Sequence, residues 1–124
     1  MTRLLAVAVL IASSGCVVAQ RPAAGTWKGI LGEGRPLGVK FEVEEDADGK
    51  LVGKTYFQDN GTDYRLADTF TGKRDGFSVS WNSESDVVVR VKFENEKYEK
   101  LVGTIEFPAE EGIPVQKGEL VLSR

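Results

Sequence analysis

The chain contains no histidine, and its one cysteine, Cys16, sits near the N-terminus. A domain that begins after Cys16 therefore has no imidazole base, no thiol nucleophile and no disulfide. It also lacks the Cys/His ligands of an ordinary zinc site. Positive charge is scarce as well: 16 Lys and Arg stand against 19 Asp and Glu, for a net charge of −3. With no basic run, the electrostatic footprint of a nucleic-acid binder is missing. No stretch repeats its apolar residues every 3.6 positions, so there is no helix for a phosphate-cradling loop to open. The apolar run Leu4–Ala12 is only nine residues, whereas a membrane-spanning helix needs about 20.

What is present at the N-terminus is the order of a secretory signal peptide. Arg3 supplies positive charge, Leu4 to Ala12 the apolar segment, and Ser13 to Ala19 small residues. Val17 and Ala19 suit positions −3 and −1, which places cleavage after Ala19 and a mature domain at 20–124. The alternative is a lipid anchor on Cys16, for which Gly15 fits but Ser13 replaces the usual Leu. Removing 1–19 leaves 15 basic against 19 acidic side chains, net −4. The expected location is secreted or periplasmic. Without thiols, such a domain has to be held by its core alone, which is feasible at this length.

From Thr26 onward apolar residues alternate with period two. Trp27, Gly29 and Leu31 share one face, then Leu37, Val39, Phe41 and Val43, then Leu51, Gly53, Thr55 and Phe57. Tyr64, Leu66, Asp68 and Phe70 follow, then Phe77, Val79 and Trp81. Val87, Val89, Val91 and Phe93 come next, then Leu101, Gly103, Ile105 and Phe107, and last Gly118, Leu120 and Leu122. Asp48-Gly49, Asn60-Gly61 and Asp75-Gly76 are hairpin-turn signals. Eight strands with short turns and one apolar face each predict an antiparallel up-and-down β-barrel, with a two-sheet sandwich as alternative. Eight strands enclose either a packed interior or one small ligand. An internal echo also runs through the chain. Val39-Lys40-Phe41-Glu42 with Lys50-Leu51-Val52-Gly53 resembles Val91-Lys92-Phe93-Glu94 with Lys100-Leu101-Val102-Gly103, which suggests two four-strand halves.

Most carboxylates, including Glu42, Glu44, Glu45 and Asp46, fall on outward parity or in turns and read as solvated charge. Glu44 to Gly49 resembles the start of a calcium loop, but Thr55 stands where position twelve needs Glu, so it reads as a turn. Asn60-Gly61-Thr62 fits a glycosylation sequon and equally a type I′ turn. Asp68 is the carboxylate that strand parity sends inward. Thr55, on the neighbouring strand, is placed to donate to it and make a polar spot in an apolar lumen. A bulge near Ala67 would instead turn Asp68 to solvent. The residues expected to contact a ligand in the lumen are Trp27, Phe41, Thr55, Phe57, Asp68, Phe77, Trp81, Phe93 and Ile105. No cofactor or metal is called for.

Gly25-Thr26-Trp27, opening the first of eight up-and-down strands, resembles the calycin superfamily of lipocalins, fatty-acid-binding proteins and avidins. Avidin-like features continue in Leu31-Gly32, Asp48-Gly49-Lys50-Leu51-Val52-Gly53, Tyr64-x-Leu66 and Phe77-Ser78-Val79-Ser80-Trp81. The resemblance covers about the first half of the mature chain. It implies the barrel rather than the biotin site. Gly29 and Glu33 stand where that family has Asn and Ser, and Thr55 and Phe57 where it has Tyr and Ser. Trp81 matches a pocket Trp. The function expected is a non-enzymatic, lipocalin-like barrel for a small apolar or amphipathic molecule. The alternative is a protein-interaction or inhibitor module with a filled barrel, in which Gln20 to Ala24 form a tail that enters a partner.

Overall fold

The computed structural model describes residues 21–31, 37–58 and 63–124. The expected signal peptide with Cys16 and Gln20, Gly32 and Glu33, and the Asn60-Gly61-Thr62 turn lie outside the described residues. Eight strands follow in order: β1 (Gly25–Leu31), β2 (Leu37–Glu45), β3 (Lys50–Gln58), β4 (Arg65–Asp75), β5 (Ser78–Ser83), β6 (Val88–Phe93), β7 (Lys100–Phe107) and β8 (Gln116–Ser123). Each pairs antiparallel with the next, and β8 returns to β1, so the sheet is a closed up-and-down barrel. Alternation is the cause: side chains of one parity point inward along each strand. Trp27, Val39, Phe41, Leu51, Val79, Trp81, Val89, Leu101, Ile105 and Leu120 are all buried.

Hairpin chemistry sets the register. Asp46 Oδ1 accepts from the amides of Asp48 and Lys50 at 2.8 and 2.9 Å, and Gly49 takes φ +84°. The turn is thus built by an Asx side chain and a residue that tolerates left-handed backbone. Inward-facing Gly53 and Gly103 mark tight approaches. A Cβ on Gly53 would lie 2.3 Å from the Phe70 ring, and one on Gly103 would lie 2.0 Å from the Arg90 carbonyl oxygen. The repeat in the sequence does not extend to pairing. Gly53 faces Val43 across β2–β3, whereas Gly103 faces Val91, the counterpart of Val39. The two hairpins share vocabulary but are four residues out of register.

Two aromatic groups fill the interior. At one end Trp27 packs on Phe93 with ring centres 6.0 Å apart, and Phe93 meets Tyr98 at 4.8 Å. Deeper toward the other end, Phe70 stacks on Trp81 at 4.8 Å and Phe41 meets Trp81 edge-on at 5.0 Å. The first end is shut by the segment before β1. Pro22 and Ala23 are buried. Ala23 donates its N–H to Glu45 and accepts from Trp27 Nε1, both at 2.9 Å. Glu45 is therefore not the solvated charge its neighbours suggested. It lies inside, 5% exposed, and pairs with Arg74 Nε at 2.6 Å. Its odd number, in phase with Val39, Phe41 and Val43, carried that signal.

At the seam between β1 and β8, the paired position among the described residues is Lys28 opposite Ser123. Arg124 reinforces it. Its guanidinium sits 4.1 Å from the Trp27 ring centre and donates to the carbonyls of Pro22, Ala24 and Tyr98. Those groups belong to the lead-in to β1 and to the β6–β7 connection, so one side chain ties three segments together.

Two mutational outcomes follow from this packing. Phe93→Ala should cost roughly 3–5 kcal/mol in denaturant melts, while Lys92→Ala, its exposed neighbour, should cost under about 0.5 kcal/mol. Equal costs would mean that the inward and outward faces of β6 are misassigned. Arg124→Ala should cost about 1–3 kcal/mol through lost charged hydrogen bonds and ring contact. Arg124→Lys should recover less than half of that, because an ammonium lacks the planar fork. A Lys variant as stable as the native protein would show that charge alone holds the seam.

Candidate functional site

The other end of the barrel, where the β5–β6 turn lies, keeps a cavity of about 60 Å³. Its walls are Phe41 from β2, Thr55 and Phe57 from β3, Ala67 and Asp68 from β4, Trp81 and Ser83 from β5, Ser85 and Val87 from the following turn, Val89 from β6 and Ile105 from β7. Six of the nine residues expected at a lumen site meet here: Phe41, Thr55, Phe57, Asp68, Trp81 and Ile105. The other three do not. Trp27 and Phe93 belong to the packed, closed end. Phe77 lies just before β5, is 41% exposed, and packs edge-on against Phe93 and Tyr98 rather than lining the lumen.

The β4 strand decides the polar part of the site. Thr55 faces Asp68 and Tyr56 faces Leu66, so Ala67 is an extra residue, a β-bulge. Asp68 keeps the parity of buried Phe70, and beyond the bulge the parity slips by one. Leu66, expected inside, is therefore 58% exposed. Tyr64 likewise lies outside, its ring 4.9 Å from Lys40 Nζ on the outer face. The bulge occurs where the sequence suggested it, but it turns out Leu66 and not Asp68.

Asp68 is half-buried and held by donors. Its Oδ1 accepts from the Thr69 amide at 2.9 Å, and its Oδ2 from the Ser85 amide at 3.0 Å and from the Ser85 hydroxyl. The Ser85 hydroxyl is the main cause that holds its pKa below the usual carboxylate value, with the amides of Ser85 and Thr69 adding to it against burial. The partner is Ser85 from a turn, not Thr55 across the strand pair as parity suggested. Ser83 Oγ in turn accepts from the Val87 amide at 3.0 Å, which shapes that turn against the cavity. Ser83 continues the inward parity of Val79 and Trp81 at the end of β5, whereas Ser85 escapes a strand-by-strand reading because it lies in the turn beyond it.

Trp81 contributes the second polar feature. The residue is 1% exposed, and its Nε1 has no hydrogen-bond partner among the described residues. Trp27, by contrast, has its N–H bound to the Ala23 carbonyl. Apart from Asp68, the described lining holds no ionisable side chain. The described lining is an apolar chamber with one carboxylate and the hydroxyls of Thr55, Ser83 and Ser85. Comparison of the chain with protein-family models, with curated proteins and with solved structures finds no match.

The Asp68 network has a pH signature. A carboxylate whose pKa is lowered on folding stabilises the protein fully above its unfolded pKa, about 3.9. That contribution is lost as pH falls through the lower, folded value. Asp68→Asn should therefore be less stable than the native protein at pH 7, with the difference shrinking below about pH 4. Urea melts from pH 7 to pH 2 measure it. A gap that stayed constant with pH would remove the ionised Asp68 from the account.

Proposed function

We propose that this chain is an exported, non-enzymatic β-barrel that receives the end of a small molecule in the cavity between Phe41, Trp81 and Asp68. The observation that carries the reading is the cavity itself: an apolar chamber with a few convergent polar groups, the ordinary make-up of a ligand site. Its volume narrows the ligand. About 60 Å³ has room for an end group of a few heavy atoms, not for the whole of a lipid. A lipocalin-like function on this barrel is thus a small-molecule function, with the rest of the ligand at the mouth. Binding is favoured over catalysis because Asp68 is already occupied by Ser85 and Thr69 and has no second acid or base in the described lining. Export rests on the order of Arg3, Leu4–Ala12 and Ala19.

Native mass spectrometry of protein recovered from its producing cells tests both parts. The expected mass begins at Gln20 and carries a small noncovalent adduct that Val89→Phe, which fills the cavity, abolishes. A chain that retains Met1–Ala19 inside the cell would overturn export, and a lipid on Cys16 would overturn the soluble form. An adduct indifferent to Val89→Phe would move the ligand out of the barrel.

The protein-interaction reading draws support from the small lumen and from the outer face of β1–β3. There Ile30 is 67% exposed, and Lys28, Lys40, Tyr56 and Tyr64 form cation–π contacts. A tail entering a partner has less support, because Pro22 and Ala23 are bound into the closed end.

A further inference from the structure

We propose, resting on the cavity reading above, that the ligand is a primary amine: a short alkyl chain enters between Phe41, Trp81, Val89 and Ile105, and its ammonium stays at the rim against Asp68 and Thr55. The starting point is a carboxylate without a countercharge. Asp68 keeps the inward parity of Phe70, and Ser85, which holds its Oδ2, walls the same cavity. Its donors are an amide and a hydroxyl of Ser85 and the amide of Thr69, all neutral. No Lys or Arg among the described residues pairs with it, and the described lining holds no other ionisable group. The same donors hold its pKa below the usual carboxylate value, so it is ionised at neutral pH. Its Oδ1 accepts one bond, from the Thr69 amide, and has a lone pair to spare.

Thr55 supplies the second contact. It lies directly opposite Asp68 across β3–β4, so the two side chains are cross-strand neighbours on the inner face. They are not bonded to each other: the Thr55 hydroxyl makes no hydrogen bond among the described residues. Thr55 is 7% exposed and lines the cavity, and its oxygen, unlike the sealed Trp81 nitrogen, is reached by water. An open hydroxyl on one strand and an uncompensated carboxylate on the next make a place for a donor that carries positive charge. An ammonium has three N–H bonds and can give one to each. A carboxylate end group would repel Asp68, and an alcohol would leave its charge unbalanced. The inner walls suit the carbon chain. Phe41, Trp81, Val89 and Ile105 are at most 2% exposed, and about 60 Å³ limits that chain to a few carbons.

Methyl proton–carbon spectra of the labelled protein provide the test, read at Val89 and Ile105 at pH 7. The probes are butylammonium, 1-butanol and butanoate. Butylammonium should bind about tenfold more tightly than 1-butanol, the gain of a charge-assisted hydrogen bond, and butanoate more weakly than either. Asp68→Asn should reduce butylammonium to the level of 1-butanol. Glu84→Gln, which removes an exposed charge from the neighbouring turn, should leave the preference intact. An equal loss in that variant would assign the preference to the net negative charge of the whole protein and overturn the site. The native protein gives a second reading. A carbon-13 titration of the Asp68 carboxyl should show its pKa lowered further by saturating butylammonium, and an unmoved value would overturn the pairing whatever the Asn variant does. If 1-butanol or butanoate binds as tightly as butylammonium, or if Asp68→Asn keeps the preference, the amine class is wrong while the cavity reading stands. If none of the three probes moves a resonance of the cavity wall, the cavity reading falls and this inference with it.

Discussion

The barrel closes where β8 meets β1, and the guanidinium of Arg124 over the Trp27 ring reinforces that seam. An eight-stranded sheet becomes a barrel only if its last strand returns to its first. Among the described residues β8 and β1 are paired in register at Lys28 with Ser123. Elsewhere neighbouring strands are paired over five to eight described positions, with a bulge in the β3–β4 ladder. Arg124 compensates by joining the segment before β1, the turn before β7 and the end of β8 through carbonyl contacts. Beneath it Trp27 sends its N–H to Ala23, and Ala23 sends its own to Glu45, which is paired with Arg74. One polar chain thus runs from the C-terminal residue to β4 across the barrel floor. A domain with no disulfide needs closure of this kind, because nothing covalent restrains its ends.

That closed floor has a consequence for the opposite end. Trp27, Phe93, Phe77 and Tyr98 use their aromatic bulk to plug one end. Phe41, Phe70 and Trp81 fill the middle. Among the described residues a small chamber lies where β-strand side chains give way to serines. A barrel of this strand number has room either for its own side chains or for a ligand. In this one the described chamber between Phe41, Trp81 and Asp68 is about 60 Å³. It is shaped by two backbone events. The Ala67 bulge keeps Asp68 in phase with the core while releasing Leu66, and the β5–β6 turn brings Ser85 across to hold that carboxylate.

Much of this was legible in the residues before any coordinates. The strands, their inward faces, the Asp48-Gly49 and Asp75-Gly76 turns and the place of Phe41, Thr55, Trp81 and Ile105 all follow from period-two alternation. Alternation is a local property that closure leaves intact. The departures have separate sources. Leu66 and Tyr64 were placed inside because parity was counted through Ala67, and one inserted residue reverses every side chain beyond it. Phe77 was counted as strand although it precedes β5. Glu45 was grouped with the acidic turn next to it although its parity was that of Val43.

By itself, then, the sequence determined an all-β chain of eight alternating segments with short polar turns, while the pairing of β8 with β1 decided for a barrel over a sandwich. It also determined which residues supply the bulk of that interior, since parity is fixed by the chain. Only the tertiary structure decided which of them pack against one another and which surround a void. Trp27 and Trp81 look equivalent in sequence, each an inward aromatic on a strand. The fold gives the first an acceptor at Ala23 and leaves the second without one, because a buttress formed by residues 21–24 covers one end of the barrel. The partner of Asp68 was decided in the same way. Ser85 lies 17 positions along the chain, on a turn whose path over the mouth depends on how the whole sheet coils and closes.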